Sequence, residues 1–424
     1  SSAAQMCIRD RNISDADKEK ASAISEKFNI DPFVAYLLAA RGIESDIAVS
    51  EFLSNEIRLS DPFDLLDMDK AVERIENAVQ SGEKITVYGD YDCDGVTATV
   101  LLYSFLCDMG ADANFYIPSR EGEGYGLNKT AIKSLHDSGT SLIITVDNGI
   151  SAISEAEYIY SLGMQLVVTD HHRVPAELPV AEALVNPHRQ DGELPFTDFA
   201  GVGVAFKLVC ALYGDVDDML DRYADLVAIG TIGDIMPLVD ENRSFVKAGL
   251  RLINLGSRVG LSALKNIAGY SDKKVGSGDV AFALCPRINA TGRIDNAMKA
   301  ASLLLCDDLD DSRFMAEQLD INNNHRRKLE EKIEADVLNQ LSAYPELVAG
   351  RIIVVAGEGY HQGVVGIVAS SITERYGKPS IVLDIDEEGN AKGSARSIDG
   401  FNIYDAIASC SDCLLYTSDA ADEL

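Results

Sequence analysis

No apolar run in the 424 residues approaches the roughly 18 needed to cross a bilayer as a helix, which argues against a membrane partner. Nothing in the sequence resembles a signal peptide, and the eight cysteines do not resemble a disulfide framework. Cys93, Cys107, Cys210, Cys285 and Cys306 lie in apolar or motif contexts without metal-ligand spacing. These absences predict a reducing, cytoplasmic location. Basic residues are scarce, at 37 against 68 acidic, for a net charge of −31. That argues against a general cationic coat for nucleic acid, but not against a local basic channel, because only the field near the ligand counts. Most of the acidic excess reads as solvated surface. There is no short-period repeat and no low-complexity tract. Gly122-x-Gly124-x-Gly126 lacks the Lys-Ser/Thr of a triphosphate-binding loop, which argues against an ATP site there.

What remains is an ordinary globular composition, 46% hydrophobic, with length for two or three domains at roughly 100–200 residues each. Residues 1–11 and 413–424 show neither helical nor strand period. Both read as translations, on opposite strands, of a transposon-end adapter, so the Cys410-x-x-Cys413 pair reads as accidental. The informative segment is then 12–412, expected to be a piece of a longer chain.

Residues 12–80 read as helical, with apolar spacing over Glu26–Arg41 and Asp69–Ala78. An alternation follows over 81–311. Strands are expected at Lys84–Tyr88, Asn114–Pro118, Leu142–Val146 and Leu166–Thr169. Helices are expected at Gly95–Met109, Lys129–Ser138, Ala152–Leu162, Gly201–Tyr213 and Asp217–Ile229. Such alternation implies a parallel sheet with helices on both faces. A long charged helix is expected over 312–341, with the basic run Asn324–Lys328 on one face. The alternation restarts over 342–412, with strands at Arg351–Ala356, Ser380–Leu383 and Ala391–Ser397 and a helix at Val364–Tyr376. The expected class is α/β: a parallel, doubly wound domain joined by the long helix to a smaller, incomplete α/β domain.

Acids and histidines gather where strands end. Asp90-Tyr91-Asp92-Cys93-Asp94-Gly95 follows the first strand. Carboxylates at alternate positions of an extended segment project to one side and suit a hard cation. The spacing also matches the start of an EF-hand, but the closing glutamate would fall at Leu101. Asp147-Asn148-Gly149, Asp170-His171-His172 and Gly233-Asp234 complete the series. Ligands of open parallel sheets collect beyond the carboxyl ends of the strands, so these residues are expected to converge. Carboxylates with one or two imidazoles suit Mn²⁺ better than a purely oxygen-bound ion. Five or six ligands exceed the needs of one ion, and two ions sharing a carboxylate serve hydrolysis at phosphorus.

These four ordered motifs resemble those of the DHH phosphoesterase family. Glu123–Leu127, Pro286–Arg293, His361–Gly366 and Gly393–Ser397 narrow the resemblance to its bacterial exonucleases, which degrade single-stranded DNA from the 5′ end. The resemblance implies a DHH catalytic domain at 81–311, the connecting helix at 312–341 and a partial DHH-associated substrate-binding domain at 342–412. It implies that Asp94, Asp147, His171 and Asp234 hold one ion, and that Asp92 and Asp147, with help from Asp90, hold the other. The ions implied are two Mn²⁺, with Mg²⁺ as the alternative. His172 is implied near the scissile phosphate, catalytic with Asp94 and Asp147. Arg287, Asn289, Arg293, Ser394, Arg396 and Ser397 are implied in substrate binding, the last three with Arg293 around the 5′ phosphate. Tyr125 is expected beside the DNA path and His361 near the substrate. Implied partners are single-stranded DNA with a 5′ end and a helicase or single-strand-binding protein, in a bacterial cytoplasm. Two other readings stand beside this one: a DHH phosphodiesterase of short oligonucleotides or cyclic dinucleotides, and a non-catalytic replication scaffold.

Overall fold

The computed structural model describes residues 18–54, 56–192 and 194–410. They fall into two compact units, divided between Arg58 and Leu59. The suspected adapter segments and Cys413 lie outside the described residues.

The first unit is a trio of helices, Lys18–Phe28, Pro32–Ala40 and Asp46–Leu53, around Ala21, Ile24, Ala35, Leu38 and Val49. The apolar spacing over Glu26–Arg41 does not form one helix. Asn29 takes a left-handed φ of 49°, and Asp31 caps a new helix by accepting from Phe33 N. Pro32 disfavours helical geometry in the residue before it and suits the first turn of the helix it opens.

The second unit holds a five-stranded parallel sheet in the order β2-β1-β3-β4-β5. The strands are β1 Lys84–Tyr88, β2 Asp112–Tyr116, β3 Leu142–Val146, β4 Gln165–Thr169 and β5 Ala183–Val185. Alternation along the strands sends Ile85, Val87, Leu142, Ile144 and Val167 into one core. Tyr88, Ile143, Leu166 and Val168 go into the other. Helices Lys129–Asp137 and Ile153–Ser161 cover the second face, and Met68–Gln80, Cys93–Asp108 and Gly201–Tyr213 cover the first. The sheet is therefore doubly wound, as expected.

Differences from the expected elements have local causes. Strand β2 lies two residues earlier than Asn114–Pro118; it is an edge strand, and its half-exposed positions weaken the apolar signal. The helix after the first acidic motif starts at Cys93 rather than Gly95, because Asp92 caps it by accepting from Gly95 N at 2.9 Å. A helix beginning inside the motif excludes the EF-hand loop. Strand β5 and the helices between Asp240 and Leu305 carried no sequence reading; their apolar spacing merges into a continuous buried layer.

The long helix runs over Leu309–Ala343. Ala316 and Leu319 pack in the main core, whereas Ile333, Val337 and Leu341 pack in another. That other core belongs to β6 Ile353–Glu358, β7 Ser380–Ile385, β8 Ala391–Arg396 and the helix Gln362–Tyr376. Strands β6 and β7 are parallel, and β8 runs antiparallel to β7. One helix thus serves two cores and fixes their separation.

Candidate metal centre

The chain winds β1, then β2 on one side, and returns to β3 on the other side of β1. That reversal makes a crevice beyond the carboxyl ends of β1 and β3. Register carries the motifs to one level, because Tyr88 pairs with Thr145 and Val146 with Thr169. The residues that follow are Asp90, Asp147 and Asp170.

Three overlapping groups bring ligand atoms within 4.8 Å of one another: Asp90, Asp92 and Asp147; Asp94, His171 and Asp234; and Asp147, His171 and His172. All six residues expected to hold metal converge here. His171 Nε2 lies 3.1 Å from Asp147 Oδ1, 3.7 Å from Asp234 Oδ2 and 3.8 Å from Asp94 Oδ2.

Each carboxylate is held differently. Asp94 accepts from Gly201 N at 2.6 Å and Val202 N at 2.8 Å, the first amides of the helix Gly201–Tyr213. A helix N-terminus favours such an anion. Gly201 is needed there, because a methyl would stand 2.5 Å from Asp147 Cβ and 2.6 Å from its Oδ1. Asp147 sits at φ 62°, and its buried Oδ1 accepts no hydrogen bond. Burial and the neighbouring carboxylates push the carboxyls of Asp94 and Asp147 far above the usual range. Asp234 is raised to about 7 by burial and by Asp92. Burial, then His172, lowers His171 to about 3, so its ring is neutral and fit to be a ligand. An oxygen-rich set whose carboxyls resist ionising without a counter-charge, with a neutral imidazole and a buried acceptor, fits divalent cations.

His172 is positioned by Asp170, which the sequence reading passed over as a site residue. Asp170 Oδ1 lies 2.7 Å from His172 Nδ1 and accepts from the His171 and His172 amides; Oδ2 accepts from Ile150 N. Burial would raise its pKa, but His172 and these donors more than offset it and hold the carboxyl below its ordinary range. Its place at the head of the Asp170-His171-His172 motif was the available signal. Tyr125 joins the site through its hydroxyl, 3.3 Å from Asp147 O and from His172 Nδ1.

The residues expected at the substrate are distributed differently. Asn289 Oδ1 accepts from Cys93 N at 2.7 Å, so it braces the first metal motif. Arg287 is bound to Asp320 of the long helix and to Ala283 O. Arg293 donates to Gly363 O at 3.2 Å, at the start of the helix Gln362–Tyr376, which His361 caps. Arg396 donates to Ser370 Oγ at 2.9 Å, and Ser397 Oγ donates to Phe401 O. Ser394 stands on β8 opposite Val382. None of these lies in the three ligand groups. Within the basic run, Arg326 pairs with Glu330 and Asn323 along its own helix. None of the described cysteines forms a disulfide, and no described helix is long and apolar enough to cross a membrane.

The profile of the DHH family, N-terminal domain, matches residues 84–231, and that of the DHHA1 domain matches 349–413. The chain is 42% identical over 400 residues to the single-stranded-DNA-specific exonuclease RecJ of Bacillus subtilis, covering 94% of this chain and 50% of that protein. It is 37% identical to the protein of the same name from Escherichia coli, covering 89% of this chain and 68% of that one. The crystal structure of RecJ in complex with Mn²⁺ from Thermus thermophilus superposes with a TM-score of 0.81 at 32% identity, over 96% of this chain and 58% of that one. A second structure, exonuclease RecJ bound to manganese, gives 0.72 at 36% identity, over 83% of this chain and 87% of that one. The chain thus spans half the length of its Bacillus relative.

Proposed function

The chain belongs to the RecJ family of single-stranded-DNA-specific exonucleases, and from that premise we propose that it hydrolyses single-stranded DNA from the 5′ end, in DNA repair and recombination. The observation that carries this reading is the overlap of three donor groups through Asp147 and His171 at the carboxyl edge of the sheet. Asp94, Asp147, His171 and Asp234 would hold one divalent cation, and Asp92 and Asp147, assisted by Asp90, the other. Mn²⁺ is the proposed ion, with Mg²⁺ as its substitute. When bound, such a pair activates water and neutralises charge at a phosphate.

The chain's own groups do the rest. Asp147, which belongs to two of the donor groups, would be the shared ligand. Asp170 fixes the tautomer of His172, whose ring can pass a proton to the leaving oxygen. Arg293, Ser394, Arg396 and Ser397 would receive the 5′ phosphate, with guanidinium forks and hydroxyls of the kind phosphate recognition requires. Arg287 and Asn289 serve the frame around the site. The strand would pass between the sheet edge bearing Asp147 and the domain bearing Arg396, and the helix Leu309–Ala343, which packs in both cores, would set the width of that gap. Proposed partners are a helicase or a single-strand-binding protein, in the cytoplasm.

The test is digestion, with Mn²⁺, of a 5′-phosphorylated single strand, the matching blunt duplex and a cyclic dinucleotide, with Asp147→Ala as control. The expected result is stepwise shortening of the single strand alone. Phosphate attraction cannot produce that selectivity, since a duplex has the higher charge density. Equal loss of duplex and single strand, or preference for the dinucleotide, overturns the reading.

A further inference from the structure

The helix Val216–Gly233 delivers the metal-site residue Asp234 and then stops. It stops in a Schellman turn: Met236 N donates to Thr231 O and Ile235 N to Ile232 O, both at 3.2 Å. This turn requires a left-handed residue at its centre, a place that glycine or asparagine normally fills. Here the residue is Ile235, at φ 59°. A β-branched side chain in that conformation is strained. The turn itself has a clear use, since it carries Met236 back against the core and leaves Asp234 Oδ2 3.7 Å from His171 Nε2. That use explains the backbone. It does not explain the side chain.

Burial does not explain it either. Ile235 is 89% exposed, the largest exposure among the described large hydrophobic residues. An apolar group held in a strained conformation, gaining no core contact, stands one residue from the proposed metal site. Strained residues of this kind cluster at functional sites, and one that packs on nothing in the core points to a role there. We propose that Ile235 is a positioning residue that packs against the nucleobase beside the scissile phosphate. This rests on the reading of the chain as a single-strand exonuclease. A rigid aliphatic wedge suits an unpaired base, whose faces are apolar and open, and it is sequence-tolerant because every base offers a face. By holding that base it would set the phosphate against the cations.

The experiment compares the wild type with Ile235→Gly, Ile235→Asn and Ile235→Leu. Substrates are a 5′-phosphorylated single strand, the same strand with an abasic nucleotide at the first or second position, and methyl p-nitrophenyl phosphate, a small diester that has no nucleobase. Glycine and asparagine suit the left-handed position, so both variants should melt at or above the wild-type temperature. Both should lose about tenfold in kcat/KM on the intact strand. Ile235→Leu should keep most of the activity. On one of the abasic strands the wild type should fall to the rate of Ile235→Gly, which should be indifferent to that lesion. All four proteins should treat the small ester alike and bind the same Mn²⁺. If the wild type leaves the intact strand uncut, the reading of function fails and this inference falls with it. If the wild type cuts and Ile235→Gly cuts equally well, only this inference is overturned. A loss of equal size on intact and abasic strands also overturns it, and assigns Ile235 to a contact other than a base.

Discussion

The carboxyl edge of the large sheet and the tip of the small domain were both expected to be sites, and they differ in how their side chains are engaged. At the edge, Asp94, Asp147 and Asp234 converge on a neutral imidazole, and burial opposes their charge. At the tip, Arg396 and Ser397 have acceptors within their own domain. The asymmetry is physical. Like charges brought together have no internal remedy, so a cation site is visible in the protein alone. Guanidinium and hydroxyl groups find carbonyls and hydroxyls nearby, so a phosphate site need look no different from a braced loop.

This contrast implies a hierarchy of effects. The largest is at Asp147. Asp147→Ala should lower hydrolysis by roughly 10³-fold or more, because it removes the proposed shared ligand and both cations lose their place. Mn²⁺ should raise the melting temperature of the wild type and leave that of the variant nearly unmoved. Near-wild-type turnover by Asp147→Ala in Mn²⁺ would show that the edge is an acidic surface and not a shared centre.

Next comes His172. His172→Ala should cost about 10²–10⁴-fold in kcat, the usual range for a positioned acid or base, while Mn²⁺ still binds. Asp170→Asn should cost less, about 10–100-fold, because it disturbs only the orientation and tautomer of the ring. A displaced pH profile in Asp170→Asn would separate positioning from simple loss of fold. Both residues belong to the convergent region, so effects confined to KM would contradict their placement.

The convergent region was also the more legible one. Asp90, Asp92, Asp94, Asp147, His171 and Asp234 could be named because each follows an apolar segment whose end is plain in the sequence, and parallel topology gathers such ends. What holds them was not legible. Gly201 N and Val202 N reach Asp94 across more than 100 residues, and no spacing rule links them. Asn289 appeared in a motif with two arginines and was assigned to substrate with them, yet its carbonyl oxygen accepts from Cys93 N. Sequence shows that a polar group is present, but its direction depends on packing. The same limit explains Glu26–Arg41: the apolar period is real, but Asn29 and Pro32 divide it between two helices.

Arg396 and Arg293 come third. Each should contribute one charge-assisted contact to the 5′ phosphate, about 1.5–3 kcal/mol, so alanine at either should raise KM about 10–100-fold. Their Mn²⁺ content, measured by elemental analysis, should equal that of the wild type. A strand ending in a 5′ hydroxyl should abolish the difference between variant and wild type. If the arginines serve only their present partners, the loss will be the same on both ends.

The smallest effect on activity is expected at Arg287, although the same motif contains Arg293. Arg287 donates to Asp320 Oδ1 from Nε at 2.9 Å and meets it again from Nη2 at 2.7 Å, while Nη1 donates to Ala283 O at 2.6 Å. A planar fork spent on one carboxylate and one carbonyl has little geometry left for a phosphate. Its side chain is 16% exposed and that of Asp320 26%, so the pair is only partly screened by solvent. Arg287→Ala should therefore destabilise the fold by about 1–2 kcal/mol, between the ranges for exposed and buried pairs. The contact ties the segment before Asn289 to the long helix, so the loss should appear as a melting temperature lowered by a few degrees. KM for single-stranded DNA should stay within about twofold of wild type at temperatures where both proteins are folded. The double variant Arg287→Ala, Asp320→Ala should recover part of the lost stability, because no carboxylate is then left without its partner. A tenfold rise in KM without any change in melting temperature would move Arg287 from the frame to the substrate, and would show that a guanidinium engaged within the protein can still turn to DNA.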